Sequence, residues 1–182
     1  MVLLNSSSCN FNWKPVNFKF TSLQGDKSSI YDAKGSNGLL VMFICNHCPY
    51  VKFIEQKIST ETKRIQKIGV ESIAFMSNDQ DIYEEDCNNS LLEQISRANF
   101  DFPYILDSNQ EVGRSFDAQC TPEFYYLNKN LELKYRGRLD SNGKEPEMGS
   151  AELYYAIEEV ISKGYCSSQQ YPSMGCSIKW KN

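Results

Sequence analysis

The chain has 182 residues, of which 41% are hydrophobic and 23% charged, enough for one domain with a sizeable core. A net charge of −4, with no basic run and no interleaving of basic and aromatic residues, gives no footing for nucleic-acid binding. No apolar stretch approaches the roughly 20 residues of a membrane span. The N-terminus, apolar only at Val2, Leu3 and Leu4, lacks the basic start and long apolar segment of a signal peptide, so the expected location is the cytoplasm.

Residues 1–16 read as a polar, irregular arm. Residues 16–20 alternate as a strand does, 23–26 signal a turn, and 29–31 return, which predicts an N-terminal β-hairpin. A loop at 34–38 leads into the apolar run 39–44, a buried strand that stops at Cys45. Val51, Ile54, Ile58, Ile65 and Ile68 then recur at helical spacing, with the charged residues mainly outside their stripe. This predicts a helix that opens with two cysteines and closes at Gly69. Residues 71–76 read as the next strand; Asn78 and Asp79 at its end could line a site, with a turn role favoured. An interrupted helix follows over 80–99, then a short strand at 102–106 and a short helix around Val112 and Phe116. Residues 123–127 and 131–139 form a second hairpin. Ser150 suits the N-cap of a last helix carrying Leu153, Tyr154, Ile157, Val160 and Ile161 on one face, closed by Gly164. The division is an arm (1–16), one domain (17–164) and a tail (165–182), with no repeat and no linker.

A β-α-β order implies parallel strands joined by a crossover helix, and the later hairpin adds antiparallel ones. Between the first such strand and its helix lies Cys45-Asn46-His47-Cys48, a C-x-x-C where a redox dithiol is placed. A thiol at a helix N-terminus faces unpaired N–H groups and the positive end of the macrodipole, and both favour the thiolate, which is the reactive form. Seven cysteines, an odd number, argue against a secreted scaffold stapled by disulfides. Cys9, Cys87 and Cys166 read as small packed or exposed residues. The eleven Tyr and ten Phe read as core, and no cofactor is expected.

Segments 42–52 (MFICNHCPYVK), 77–79 (SND), 102–107 (FPYILD), 119–128 (QCTPEFYYLN), 135–141 (YRGRLDS) and 175–180 (GCSIKW) together resemble the thioredoxin-like redoxins. That group is also labelled thioredoxin-family or alkyl hydroperoxide reductase/thiol-specific antioxidant proteins. The resemblance spans most of residues 38–180, and the pairing of C-x-x-C with a downstream Thr121-Pro122 makes it specific. It implies a thioredoxin-like α/β fold, a central mixed sheet flanked by helices, with Pro122 in cis beside the cysteines. It also implies thiol–disulfide exchange in which Cys45 attacks and Cys48 resolves a mixed disulfide. The partners would be protein or small-molecule disulfides or thiols, with a thioredoxin or glutathione system to restore the dithiol. Cys45 is expected to be more exposed and more acidic than Cys48, below the ordinary value of about 8.5. His47, the sole histidine, would stabilise its thiolate. The Thr121 backbone would stay open to pair with an extended substrate peptide.

The chain departs from the thioredoxin pattern at Ile44, where Trp is usual, at Asn46-His47 in place of Gly-Pro, and at Leu39, where a buried acidic residue often lies. Glu123 is the spatial candidate for the missing carboxylate. A peroxiredoxin reading aligns the peroxidatic thiol on Cys48, which places Val41 at the motif's Pro and Cys45 at its Ser/Thr, with Arg138 as the candidate arginine. A zinc-binding or redox-inactive module is the third reading, built on Cys45, Cys48, His47 and a distant cysteine; the second close ligand pair of a structural zinc site is missing. Cys120, two residues before Pro122, is the first candidate for a third thiol at the site, ahead of Cys176 in the tail.

Overall fold

The structure is a computed structural model that describes residues 3–6, 10–141 and 151–181. Cys9 and Ser150 lie outside the described residues. The elements follow in the order β1 (Leu3–Asn5), β2 (Lys19–Thr21), β3 (Lys27–Ser29), β4 (Gly38–Phe43), α1 (Pro49–Gln66), β5 (Val70–Met76), α2 (Asn88–Ala98), β6 (Tyr104–Leu106), α3 (Glu111–Ser115), β7 (Cys120–Thr121), β8 (Glu123–Asn128), β9 (Leu133–Gly137), α4 (Glu152–Lys163) and β10 (Met174–Ser177), with a single 3₁₀ turn at Glu84–Asp86 before α2.

The main sheet has the order β6-β5-β4-β8-β9. β4 runs parallel to β5 and antiparallel to β8, so the sheet is mixed, as expected. β4 is buried along its whole length, which is why it reads as an unbroken apolar run rather than an alternating one. Alternation appears instead in what each face touches. Leu40, Met42, Ala74, Phe124 and Tyr126 point into a core shared with Val51, Ile54 and Ile58 of α1, Leu91 of α2, and Ile157 and Val160 of α4. Leu39, Val41, Phe43, Ile73, Phe75 and Tyr125 point the other way, against Val112 of α3, Phe116, Ile30 and Ile178. The β2–β3 hairpin is present, with Lys19 opposite Ser29, and Phe20 packs edge-on to Phe75 at 5.9 Å.

Both ends of the chain differ from their sequence reading. β1, in the stretch expected to be irregular, pairs antiparallel with β10 in the expected tail, and β10 pairs antiparallel with β7. The physical reason is reach: strands of two to four residues carry almost no local signal, and here they are stabilised by partners far away in sequence. α4 begins at Glu152 with Ala151 at its N-cap and ends at Gly164 in the left-handed region (φ 86°), as its glycine suggested.

Candidate active site

Pro49 lacks an N–H and has a preset φ, so it fits the first position of a helix and fixes where α1 starts. Cys48 is therefore the N-cap, with φ −71° and ψ 121°, and Cys45, Asn46 and His47 lie in the turn before it. The expectation of a helix opening with two cysteines is corrected: one cysteine caps it and the other precedes it.

The turn is tied from below. Tyr104 donates its hydroxyl to the Ile44 carbonyl at 3.1 Å, and Gln94 Nε2 donates to the Cys45 carbonyl at 3.4 Å. Arg97 donates to Asn46 Oδ1 at 2.9 Å while forming a two-pronged pair with Glu55. On the far side stands β7. The Thr121–Pro122 peptide bond is cis, and Thr121 touches both sulfurs: its Oγ1 is 3.2 Å from Cys45 Sγ and its carbonyl 3.1 Å from Cys48 Sγ. The structure thus brings Cys45, His47, Cys48, Thr121 and Pro122 to one place.

The acidity of the pair is the reverse of the expectation. Neither sulfur is exposed. Burial pushes the Cys45 thiol well up, and its neighbours Cys48 and Asp86 push the same way. Cys48 is brought down to about 5 by the hydrogen bond from Cys45, against the opposing effect of burial, and Cys176 and backbone N–H groups of Cys176 and Val51 add to the fall. Hydrogen bonding within the pair favours a single thiolate, with Cys48 the more acidic partner. As a thiol, Cys48 donates to the Thr121 carbonyl; ionised, it gives up that bond and gains several donors. The macrodipole of α1 acts at its N-cap, which is Cys48, so the feature expected to acidify Cys45 acidifies its neighbour.

His47 is held by a buried carboxylate. Its Nδ1 lies 2.6 Å from Asp86 Oδ2, and its ring stacks on Tyr83 at 3.8 Å with 1° between planes. Asp86 Oδ1 accepts the backbone N–H groups of Asn46 and His47 at 2.8 and 3.0 Å, and Oδ2 accepts from Asn78 Nδ2 at 2.9 Å. Burial raises the Asp86 carboxyl, but His47, Asn78 and the backbone donor outweigh it and hold it below the ordinary range. His47 Nε2 is buried and has no partner among the described residues. Cys45 Sγ, a His47 ring nitrogen and an Asp86 oxygen lie within 4.8 Å of one another. This is the donor set that could take a cation, in place of the cysteine-rich zinc set read from sequence, though two of its members are already bonded to each other.

Several assignments move. Asp86, rather than Glu123, is the carboxylate at the dithiol. Glu123 accepts from Arg136 at 2.8 Å and from the Gln119 N–H at 2.8 Å, which occupies both its oxygens away from Cys48. Arg138 is taken by Glu152 through two contacts of 2.7 Å. Asn78, read as a turn residue, is buried in the site, bonded to Asp86 and to the Lys179 N–H at 2.9 Å. The third thiol is Cys176, whose Sγ lies 2.9 Å from Cys48 Sγ. Cys120 points elsewhere, its Sγ 3.9 Å from the Ser173 carbonyl, because adjacent residues of a strand face opposite ways and Thr121 faces the pair. Asp86 and Tyr83, inside a stretch read only as an interrupted helix, were missed; Asn78 and Cys176 each sat in a segment the resemblance already included.

β10 lies along β7 with Cys176 opposite Thr121 and Ser177 opposite Cys120. The strand place expected for a substrate beside Thr121 is therefore filled by the chain itself. A groove of about 530 Å³ opens next to Pro122, walled by Tyr50, Ile54, Phe124, Leu139 and Met174.

The sequence model described as the AhpC/TSA family matches residues 14–137. No curated protein sequence matches the chain. Among solved structures, an uncharacterized conserved protein from Geobacillus kaustophilus superposes with a TM-score of 0.92 at 32% identity, covering 100% of this chain and 97% of that one. A hypothetical protein from Sinorhizobium meliloti gives 0.86 at 27%, covering 97% and 98%. A secreted disulfide oxidoreductase from Mycobacterium tuberculosis, described as homologous to DsbE of E. coli, gives 0.57 at 13%, covering 78% and 95%, a likeness of fold alone.

Proposed function

The chain belongs to the AhpC/TSA family and has a thioredoxin-like fold, and from that premise we propose that it is a thiol–disulfide oxidoreductase cycling Cys45 and Cys48 between dithiol and disulfide. Family and fold place it among thiol oxidoreductases and peroxidases. The observation that carries the finer reading is the hydrogen-bonded pair itself: two thiols, one sharply acidified at a helix N-cap, with Thr121 of the cis-proline turn against both sulfurs.

In this reading the Cys48 thiolate attacks a substrate disulfide, forming a mixed disulfide and expelling one substrate thiolate. Cys45 then loses its proton and attacks Cys48 Sγ. The Cys45–Cys48 disulfide forms and the second substrate thiolate leaves, so one substrate disulfide is reduced to two thiols as the dithiol is oxidised. His47 is the candidate base for Cys45: one of its ring nitrogens lies within 4.8 Å of Cys45 Sγ, and Asp86 holds the ring in place through Nδ1. The apolar groove beside Pro122 suits a protein or small-molecule disulfide, and a thioredoxin or glutathione system in a reducing compartment would restore the dithiol. The peroxidase alternative has less support, because its candidate arginine is engaged: Arg138 pairs with Glu152.

The test is alkylation of the reduced protein against pH, beside a redox titration against glutathione. The expected profile has a midpoint near pH 5 that disappears in Cys48→Ser, and a two-electron titration in wild type that is lost in Cys48→Ser. A fast-reacting thiol that survives in Cys48→Ser and vanishes in Cys45→Ser would reverse the roles. Turnover of hydrogen peroxide without disulfide reduction would favour the peroxidase.

A further inference from the structure

We propose that Cys176 is a third member of the exchange site, and that Cys48 can form its disulfide with Cys176 as well as with Cys45. The inference rests on the oxidoreductase reading and extends it to a residue on another element.

Three observations place Cys176 there. Its Sγ lies 2.9 Å from Cys48 Sγ, inside the van der Waals separation of two sulfurs, and closing to a bond of about 2.05 Å needs a movement of less than 1 Å. Its position is set by strand register: Cys176 is directly opposite Thr121, and directly opposed residues of an antiparallel pair project to the same side, so Cys176 faces the pair as Thr121 does. That register depends on Gly175, where a Cβ would lie 2.1 Å from the Thr121 carbonyl oxygen; only glycine lets β10 come this close to β7. Cys176 is fully buried, and burial raises its thiol to about 12, so it rests as a protonated donor to the Cys48 thiolate.

The step needs no outside oxidant. Starting from the Cys45–Cys48 disulfide, Cys176 gives up its proton and attacks Cys48 Sγ. The Cys48–Cys176 bond forms, the Cys45–Cys48 bond breaks, and Cys45 leaves as a thiolate that takes the proton. The oxidation passes from Cys45 to Cys176, and Cys48 stays within a disulfide throughout. Cys45 is again a thiol, and β10 is covalently fixed to the start of α1. A substrate cysteine paired beside the cis-proline turn would occupy this same place, which makes β10 an internal partner standing where an external one was expected.

Peptide mapping without reduction tests this. Trypsin places Cys45 and Cys48 on one peptide, 35–52, and Cys166 and Cys176 on another, 164–179. Wild-type protein oxidised with glutathione disulfide, with remaining thiols blocked, is expected to yield both the internally oxidised 35–52 peptide and a cross-link between the two peptides. Fragmentation should place that link at Cys48 and Cys176, not Cys166. Cys45→Ser should convert the oxidised protein to the cross-linked form, and Cys176→Ala should abolish the cross-link while leaving the 45–48 disulfide. A 45–48 disulfide with no 48–176 link in wild type or Cys45→Ser overturns this inference and leaves the proposed function standing. A 48–176 link with no 45–48 disulfide overturns the proposed function and keeps Cys176 as Cys48's partner. Neither link overturns both.

Discussion

At the scale of single residues the site depends on Asp86. One carboxylate accepts four donors: two backbone N–H groups of the C-x-x-C turn, His47 and Asn78. It fixes the turn that presents Cys45, selects the tautomer of His47, and adds a negative charge that keeps Cys45 protonated. Asp86→Asn would set an amide N–H against donors on one side, so a loss of roughly 2 kcal/mol of stability is expected from buried hydrogen bonds to a charged group. The pH dependence has a definite sign. The Asp86 carboxyl is held below its ordinary value in the folded chain, so the unfolded chain binds the extra proton in acid. The stability it contributes is fully present above the unfolded value of about 4 and is lost as pH falls through the lower folded one. Urea midpoints of wild type and Asp86→Asn should therefore differ by a constant amount at pH 6–8 and converge below about pH 4. A gap that is unchanged in acid would show that the charge of Asp86 is not what holds the turn. The same substitution should make Cys45 easier to ionise.

At the scale of elements, what was legible and what was not follows the length of each signal. β4 and the body of α1 were legible because six consecutive buried residues and an eighteen-residue amphipathic helix each carry their own pattern. The hairpin of β8 and β9 was legible for the same reason. The β1-β10-β7 ribbon was not: β7 has two residues, β10 reads Met-Gly-Cys-Ser, and its pairing is decided by close approach rather than hydrophobicity. The paired cysteines and the cis-proline turn were visible, but the acidity of the pair was read the other way because it depends on one residue of helix start, set by Pro49, and on a thiol from the tail. Gly175→Ala tests the ribbon. An added Cβ meets backbone, which cannot rotate away, so β10 must shift from β7, at an expected cost of about 1–3 kcal/mol for an overpacked site. Calorimetry should show a lower Tm, and the 48–176 cross-link should fall with it. An unchanged Tm would mean that the two strands do not approach this closely.

At the scale of the whole molecule, the sheet separates two cores; Cys45, Cys48 and Cys176 belong to the first, and the C-terminal segment beyond Cys176 closes the second. Ile178 is buried against the cluster of Phe43, Phe75, Phe116 and Tyr125, and Trp180 packs at its edge. The same segment is tied to three neighbours by hydrogen bonds: the Asp79 N–H donates to the Lys179 carbonyl at 2.8 Å, the Ile178 N–H to the Gln119 carbonyl at 3.1 Å, and the Gln110 side chain donates to the Lys179 carbonyl and accepts from the Lys181 N–H at 2.8 Å each. Asn78 is thereby held from both sides, by Asp86 within the site and by the tail outside it. Ending the chain after Ser173 would strip β7 and β1 of their shared partner, uncover one face of the aromatic cluster and remove the third thiol. Losing the burial of Ile178 alone is worth about 1.5–3 kcal/mol, and the partly buried Trp180 adds to it. A domain of this kind has roughly 5–15 kcal/mol in total, so the shortened chain should remain cooperative but unfold at a clearly lower urea concentration. Its Cys48 should also titrate higher than in the full chain, because the Cys176 thiol and N–H that favour the thiolate are gone. Equal urea midpoints together with an unmoved Cys48 titration would show that the segment merely lies on the surface and that the site is complete without it.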